Sequence, residues 1–269
     1  MVFFAATLVI FFCTWAFVVG LHAAKSTKRR LYCISGVCLS LVLLRALLRY
    51  FPEWEFAVPP NDFYRFVRFW WHFPFAFVLL GVGVVKMSTR RARIGVGVLT
   101  FLVSLLVLRG LIGTVANQPV HLTGSPNENG ICLQSSNYSC GPAVVATILA
   151  KHGVFVSEAE AAKLCGTIPS LGTDEFNLRQ GLAQKLPKEF IVEIIGADWE
   201  TLRRVPKPAA AIIKYSFLID HWVAVLDLEH DEVLLADPLS GKMHMSREKF
   251  TKVWRNVLVV ARETKSPCP

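Results

Sequence analysis

Four apolar stretches in succession constrain this chain more than any other feature. They cover about residues 2–20, 31–50, 66–85 and 94–115, and each is near the roughly 20 residues needed to cross a bilayer core. One such run could be a buried helix of a globular core. Four, joined by short polar links, read as an all-α four-helix transmembrane bundle over residues 1–116. No basic segment precedes the first run, so it reads as a retained anchor rather than a cleaved signal peptide.

Charge is just as uneven. Of 29 Lys and Arg residues, 13 lie before residue 117 against three acids (Glu53, Glu55 and Asp62), while the remainder carries 16 bases and 17 acids. The basic pI therefore comes from residues flanking the apolar runs, and no nucleic-acid footprint is expected on the second half. One link holds Lys25, Lys28, Arg29 and Arg30, and another holds Lys86, Arg90, Arg91 and Arg93. The link between them, 51–65, is mixed and contains all three acids. Positive-inside bias puts both basic links in the cytoplasm, so everything after residue 116 faces outward. The expectation is an integral protein of a bacterial inner (plasma) membrane, in contact with the lipid bilayer and carrying an extracytoplasmic domain.

Arg45, Arg49, Arg65, Arg68 and Arg109 run against that bias near the outer span ends, where long arginine stems snorkel to the interface. Ser40-Leu-Val-Leu-Leu-Arg45-Ala-Leu-Leu48 aligns without gaps to Ser104-Leu-Leu-Val-Leu-Arg109-Gly-Leu-Ile112. This weak repeat suggests two hairpins of one orientation, with Arg45 and Arg109 at similar depth.

Residues 117–269 form a second domain, large enough for its own core. The Pro- and Gly-containing segment 117–129 reads as a linker or leading loop. Helices are expected over 143–150, 157–164 and 174–184, with Ser157 capping the second, Glu160 at its capping-box position and Thr173 capping the third. From residue 190 the pattern changes to short β-rich runs at 190–195, 209–214, 222–227, 232–236 and 256–260. Helices first and sheet second describe an α+β domain with an antiparallel sheet.

Chemistry concentrates in Gln134-Ser-Ser-Asn-Tyr-Ser-Cys140-Gly-Pro-Ala143. Pro142 sits where a first-turn proline is tolerated, so Cys140 stands at a helix start, where unpaired N–H groups and the dipole favour a thiolate. Downstream come His221 in Asp-His-Trp-Val and Asp237 in Leu-Leu-Ala-Asp-Pro, which complete the parts of a Cys-His-Asp hydrolase. A lone cysteine is more often a small buried hydrophobe, and a lone strand histidine is more often structural. The ordered set reverses both readings. Asp237 could instead be a pre-proline turn former, and Gln134 a solvated loop residue. Asp220 is the rival orienter of His221, but neighbours on a strand point to opposite faces.

His152, His230 and His244 lack metal-ligand spacing, so neither a metal nor a cofactor is expected. Cys13, Cys33 and Cys38 fall inside spans and read as packing residues. Cys132 and Cys165 share the outward domain and could pair as a disulfide in an oxidising compartment.

With these residues in this order, 130–260 resembles the C39 cysteine peptidase family, papain-like domains that process double-glycine leaders of exported peptides. The resemblance rests on Gln134, Cys140-Gly-Pro-Ala, Gly172-Thr173, His221-Trp-Val at a strand start, Asp237-Pro-Leu-Ser-Gly241, and Phe250 with Trp254 in a closing helix. It implies a papain-like fold behind the transmembrane bundle, Cys140 as nucleophile, His221 as acid and base, Asp237 as orienter and Gln134 as oxyanion donor. The usual relatives carry a transporter core and an ATPase after the peptidase. Here the spans come first and no Gly-x-x-x-x-Gly-Lys-Ser/Thr loop occurs, so ATP is not an expected partner. A protein or peptide substrate near the membrane is the expected partner. A peptide-binding module that does not cut, or another thiol acyl transfer such as amidase or transpeptidase chemistry, would fit the same fold.

Overall fold

Length and apolarity carry the first half of the chain into helices. The computed structural model describes residues 2–50, 70–115, 121–169, 171–216 and 219–264. The link 51–65, positions 66–69 of the third apolar run, positions 117–120 of the expected linker, and Cys268 lie outside the described residues. Among the described residues the chain divides into two compact units, residues 2–115 and 121–264.

The first unit contains α1 (Val2–Ala23), α2 (Lys28–Tyr50), α3 (Phe73–Lys86) and α4 (Arg90–Val115). Among the described residues, α1, α2 and α4 are long and apolar enough to cross a membrane, whereas α3 has only 14 residues. The shortfall from the expected 66–85 run has a local cause. Pro74 lies in the first turn of α3, and a proline there cannot continue a helix from the turn at Trp71 and His72. The backbones of α1 and α3 meet at Gly20 and Gly81: a Cβ on Gly20 would strike the Val78 carbonyl, and one on Gly81 the Phe17 carbonyl. Such small-residue contacts let two helix backbones approach closely. Around this crossing, Cys13, Ala16, Cys38, Phe77, Val78 and Val107 form a small core. Cys33 is exposed instead of packed. Arg45 and Arg109 lie five and six residues from the ends of α2 and α4, but Arg45 is half-buried and Arg109 exposed.

The second unit contains α5 (Cys140–Lys151), α6 (Glu158–Leu164), α7 (Glu175–Lys185), β1 (Phe190–Gly196), α8 (Trp199–Arg204), β2 (Ala209–Ser216), β3 (Ile219–Glu229), β4 (Glu232–Asp237), β5 (Gly241–Ser246), α9 (Arg247–Val253) and β6 (Trp254–Glu263). The strands form one sheet in the order β1-β6-β2-β3-β4-β5, and every neighbouring pair is antiparallel. Alternation divides their side chains between two cores. Ala210, Trp222, Ala224, Ala236 and Val259 pack with Val144, Ile148, Leu178 and Leu182 of α5 and α7. Ala211, Val223, Val225, Leu235 and Leu258 pack with Leu202 of α8 and Phe250 of α9. The result is an α+β domain with helices on both faces of an antiparallel sheet.

Several local expectations need correction. Ser157 caps α6 by accepting from the Glu160 N–H, but the Glu160 carboxylate pairs with Lys185 (2.7 Å) rather than reaching back to complete a capping box. Asp174, not Thr173, caps α7, accepting from Asn177 N–H at 2.7 Å. Trp254 opens β6 instead of sharing the helix of Phe250, and its indole donates to Val257 C=O. His221 lies inside β3, two residues past its start. Residues 121–130 fold onto the domain: Asn127 Oδ1 accepts from the N–H groups of Asn129 and Ile131, and Pro126 bridges to Cys132.

Candidate active site

The nucleophile position is built by what the helix start lacks. Ser139 precedes α5, but its hydroxyl does not cap the helix. It donates to Ser136 C=O (2.9 Å) and accepts from Ser136 N–H (3.1 Å). Pro142 has no N–H, and Ala143 N–H bonds to Ser139 C=O (3.0 Å). The Cys140 and Gly141 N–H groups are therefore the ones a helix start leaves over. Gly141 is needed there, because a Cβ would sit 2.5 Å from the Thr173 Cβ. Thr173 in turn accepts the Trp222 indole N–H at its carbonyl (2.8 Å) and shares a hydrogen bond with Thr167 (2.7 Å). The Gly172-Thr173 segment thus ties the helix of Cys140 to the strand that carries His221.

His221 is buried, and its Nε2 lies 2.8 Å from Asp237 Oδ1. Ala224 pairs with Ala236 across β3 and β4, so alternation places His221 and Asp237 on one side of the two strands. The same Asp237 oxygen accepts from Leu239 N–H (2.8 Å), which fixes the carboxylate in the turn that leads to Gly241. With Nε2 held by Asp237, Nδ1 is the ring nitrogen left for the Cys140 thiol. Burial opposes a charge on the imidazole. Hydrogen bonds to Asp237 and Cys140, together with their negative charges, outweigh burial and raise His221 to about 9. Burial alone would likewise raise Asp237, but the bonds from His221 and Leu239 hold it below the usual carboxylate range. Asp220, the rival orienter, instead accepts from Arg255 Nε and Nη2 (3.0 and 2.9 Å).

Gln134 is tied to the same turn, since its N–H donates to Pro238 C=O (2.9 Å). Its side-chain Nε2 donates to Ser136 C=O (2.7 Å), and Oε1 is buried without a hydrogen-bond partner. The structure therefore joins His221 and Asp237 directly, and links Gln134 to the turn after Asp237 through Pro238 and to the residues before Cys140 through Ser136. Two contacts escape a reading of the sequence. The Tyr215 ring lies 5.7 Å from the His221 ring, and Glu158 accepts bonds from the loop that bears Gln134. Tyr215 gives no signal beyond its place at the end of a β-rich run. Glu158 looks like an ordinary first-turn acid favoured by the helix dipole.

Cys132 and Cys165 are free thiols, so the expected disulfide is not formed. Burial, with the nearby Glu158 carboxylate, pushes Cys132 up to about 12, and burial, with Asp174, raises Cys165. Each packs as a small apolar residue in the core against α5 and α7.

Comparison with known proteins now fixes the family. The profile of the Peptidase C39 family matches residues 128–266. The chain belongs to the C39 peptidase family. An uncharacterized protein of Methanothermobacter marburgensis is 38% identical over 134 residues, which cover 49% of this chain and 89% of that protein. The lactococcin-G-processing and transport ATP-binding protein LagD of Lactococcus lactis is 29% identical over 129 residues, 48% of this chain but 18% of LagD. Among solved structures, the peptidase domain of Streptococcus ComA, a bi-functional ABC transporter, is 22% identical with a TM-score of 0.44, over 49% of this chain and 96% of that one. A double glycine motif protease from an AMS/PCAT transporter, solved with a leader peptide, is 16% identical with a TM-score of 0.45, over 53% and 99%.

Proposed function

We propose that this C39 family member is a membrane-anchored cysteine peptidase that cleaves a peptide bond in a protein or peptide substrate at the bilayer. The observation that carries this reading is buried His221 held at 2.8 Å by Asp237 through Nε2, which leaves Nδ1 for Cys140 at the start of α5. The Cys140 sulfur attacks the scissile carbonyl, and the proton it gives up is held on His221. Cys140 N–H and the second N–H of the Gln134 amide donate to the tetrahedral oxyanion, with Ser136 holding the first. His221 passes its proton to the leaving amine, leaving a thioester. Water then attacks that thioester while His221 takes its proton, and the free acid departs. Asp237 keeps the imidazole in the tautomer and orientation both steps require.

The long apolar helices α1, α2 and α4 support anchoring, and the basic links support an outward-facing peptidase domain. A tether of this kind limits the thiol to substrates that pass through or remain near the membrane.

A peptide ending in Gly-Gly-aminomethylcoumarin, which presents a double-glycine motif to the thiol, serves as the first probe alongside a mixed peptide library read by mass spectrometry. The expected result is hydrolysis that Cys140→Ala abolishes, together with loss of iodoacetamide labelling at that position. Hydrolysis that survives the substitution would overturn the assignment. An intact peptide recovered in stoichiometric complex would point to a module that binds without cutting.

A further inference from the structure

A fully buried carboxyl group outside the catalytic set holds the loop that carries Gln134. Glu158, the first residue of α6, has no solvent exposure. Its Oε1 accepts from Ser135 N–H (2.9 Å), and its Oε2 accepts from Ser135 O–H (2.5 Å) and Gly124 N–H (2.9 Å). Its own N–H donates to Gly124 C=O (2.9 Å), and Ser135 Oγ accepts from Thr123 N–H (3.0 Å). Gly124 fits this clamp because a Cβ there would lie 2.7 Å from Oε2 and strike the Leu133 carbonyl. Three donors thus converge on one side chain, and two of them come from the residue directly after Gln134.

Burying a carboxyl group is costly even when it is fully bonded, and an apolar side chain at the start of α6 would pack more cheaply. What the carboxyl adds is geometry. The segment 133–136 is strung between Glu158, through Ser135, and the turn after Asp237, through Gln134 N–H and Pro238 C=O. We propose that Glu158 is a positioning residue for the oxyanion site, fixing the backbone from which Gln134 presents its amide. It touches neither substrate nor thiol and acts through Gln134. This inference rests on the peptidase reading above.

The test uses the full chain in detergent micelles, with Glu158→Gln, Gln134→Ala and their double variant. Glutamine keeps the shape but sets an NH2 group against N–H or O–H donors. Two readouts separate positioning from structure. Hydrolysis of the Gly-Gly-aminomethylcoumarin peptide requires the oxyanion site, whereas alkylation of Cys140 by iodoacetamide generates no carbonyl oxyanion. Loss of one oxyanion donor typically lowers kcat about 10²–10³-fold, so Glu158→Gln is expected to lower kcat by about 10- to 100-fold with KM within about threefold. The alkylation rate should stay within about twofold of wild type, and the double variant should be no slower than Gln134→Ala alone.

Equal falls in kcat and alkylation, additive losses in the double variant, or an unchanged kcat would each overturn the proposal. Should Glu158→Gln not fold, Ser135→Ala carries the same test, because it removes one donor and leaves the carboxyl in place. A smaller fall in kcat, again absent on the Gln134→Ala background, is the expected result. Wild type that neither hydrolyses the peptide nor alkylates at Cys140 faster than free cysteine would overturn the peptidase reading itself, and this assignment with it.

Discussion

The two units dispose of their apolar residues in opposite senses. In the first, many large apolar side chains point outward: Phe11, Trp15, Phe101 and Leu106 are each more than half exposed, while the buried core is a small cluster including Cys13, Ala16, Phe77 and Leu111. In the second, Val144, Leu149, Leu178, Leu235 and Leu258 are inside and most charged side chains are at the surface. An apolar exterior of this extent is not a stable surface in water, whereas it is the ordinary exterior of a helix in lipid. Charge follows the same division, with the excess of basic residues confined to the first unit. The exposed apolar helices of the first unit are long and apolar enough to cross a membrane in α1, α2 and α4, whereas the second unit has the interior of a domain in water. The second unit holds Cys140, His221 and Asp237.

The sharpest break between the units is catalytic. Asp237→Asn should lower kcat by about 10²–10⁴-fold, since an orienting carboxylate sets both tautomer and imidazolium stability. It should also move the alkaline limb of the rate profile. His221 stands at about 9 in the folded state against an ordinary 6.5. The stabilisation from its charged form is therefore complete below about 6.5 and lost as pH rises through about 9. Without the Asp237 charge that upper limb should shift to lower pH, as kcat/KM measured against pH will show.

Packing gives the next effect. Leu258→Ala, in the fully buried sheet core, is expected to cost about 2–5 kcal/mol in denaturant unfolding of the second unit. Gly81→Leu should cost about 1–3 kcal/mol through overpacking at the α1–α3 crossing, read as a lower melting temperature in detergent. Leu106→Ala, on the apolar exterior, should change stability by less than about 0.5 kcal/mol. A comparable cost at Leu106 and Leu258 would erase the contrast between the two units.

The parts legible in the sequence were those with a strong local signature. Long apolar runs give α1, α2 and α4 because a 20-residue run has few soluble alternatives. The β-rich runs give five of the strands, and His221 and Asp237, singled out by their order, are the pair that the fold brings to 2.8 Å. Other features depend on tertiary context. β5 has no β-branched residue and exists as an edge strand by pairing with β4, so intrinsic preference gave no warning. The six residues of α8 are too few for an apolar period, although Asp198 caps them through Thr201 N–H (2.8 Å). Thr173 and Asp174 are both ordinary caps, and only the side-chain geometry chooses Asp174 while committing Thr173 to packing against Gly141. Glu158 was hidden for a similar reason. An acid in a first helical turn usually faces water, and its burial follows from the loop folded over it.

The most direct test of the central claim is the iodoacetamide alkylation rate of Cys140 at neutral pH, in wild type and His221→Ala, with the modified cysteine identified by mass spectrometry. Cys132 and Cys165, buried and raised, serve as internal controls within the same domain. The expected result is rapid, selective modification of Cys140 that falls at least about tenfold in His221→Ala. A Cys140 no more reactive than the two buried cysteines, or one indifferent to the loss of His221, would contradict the account.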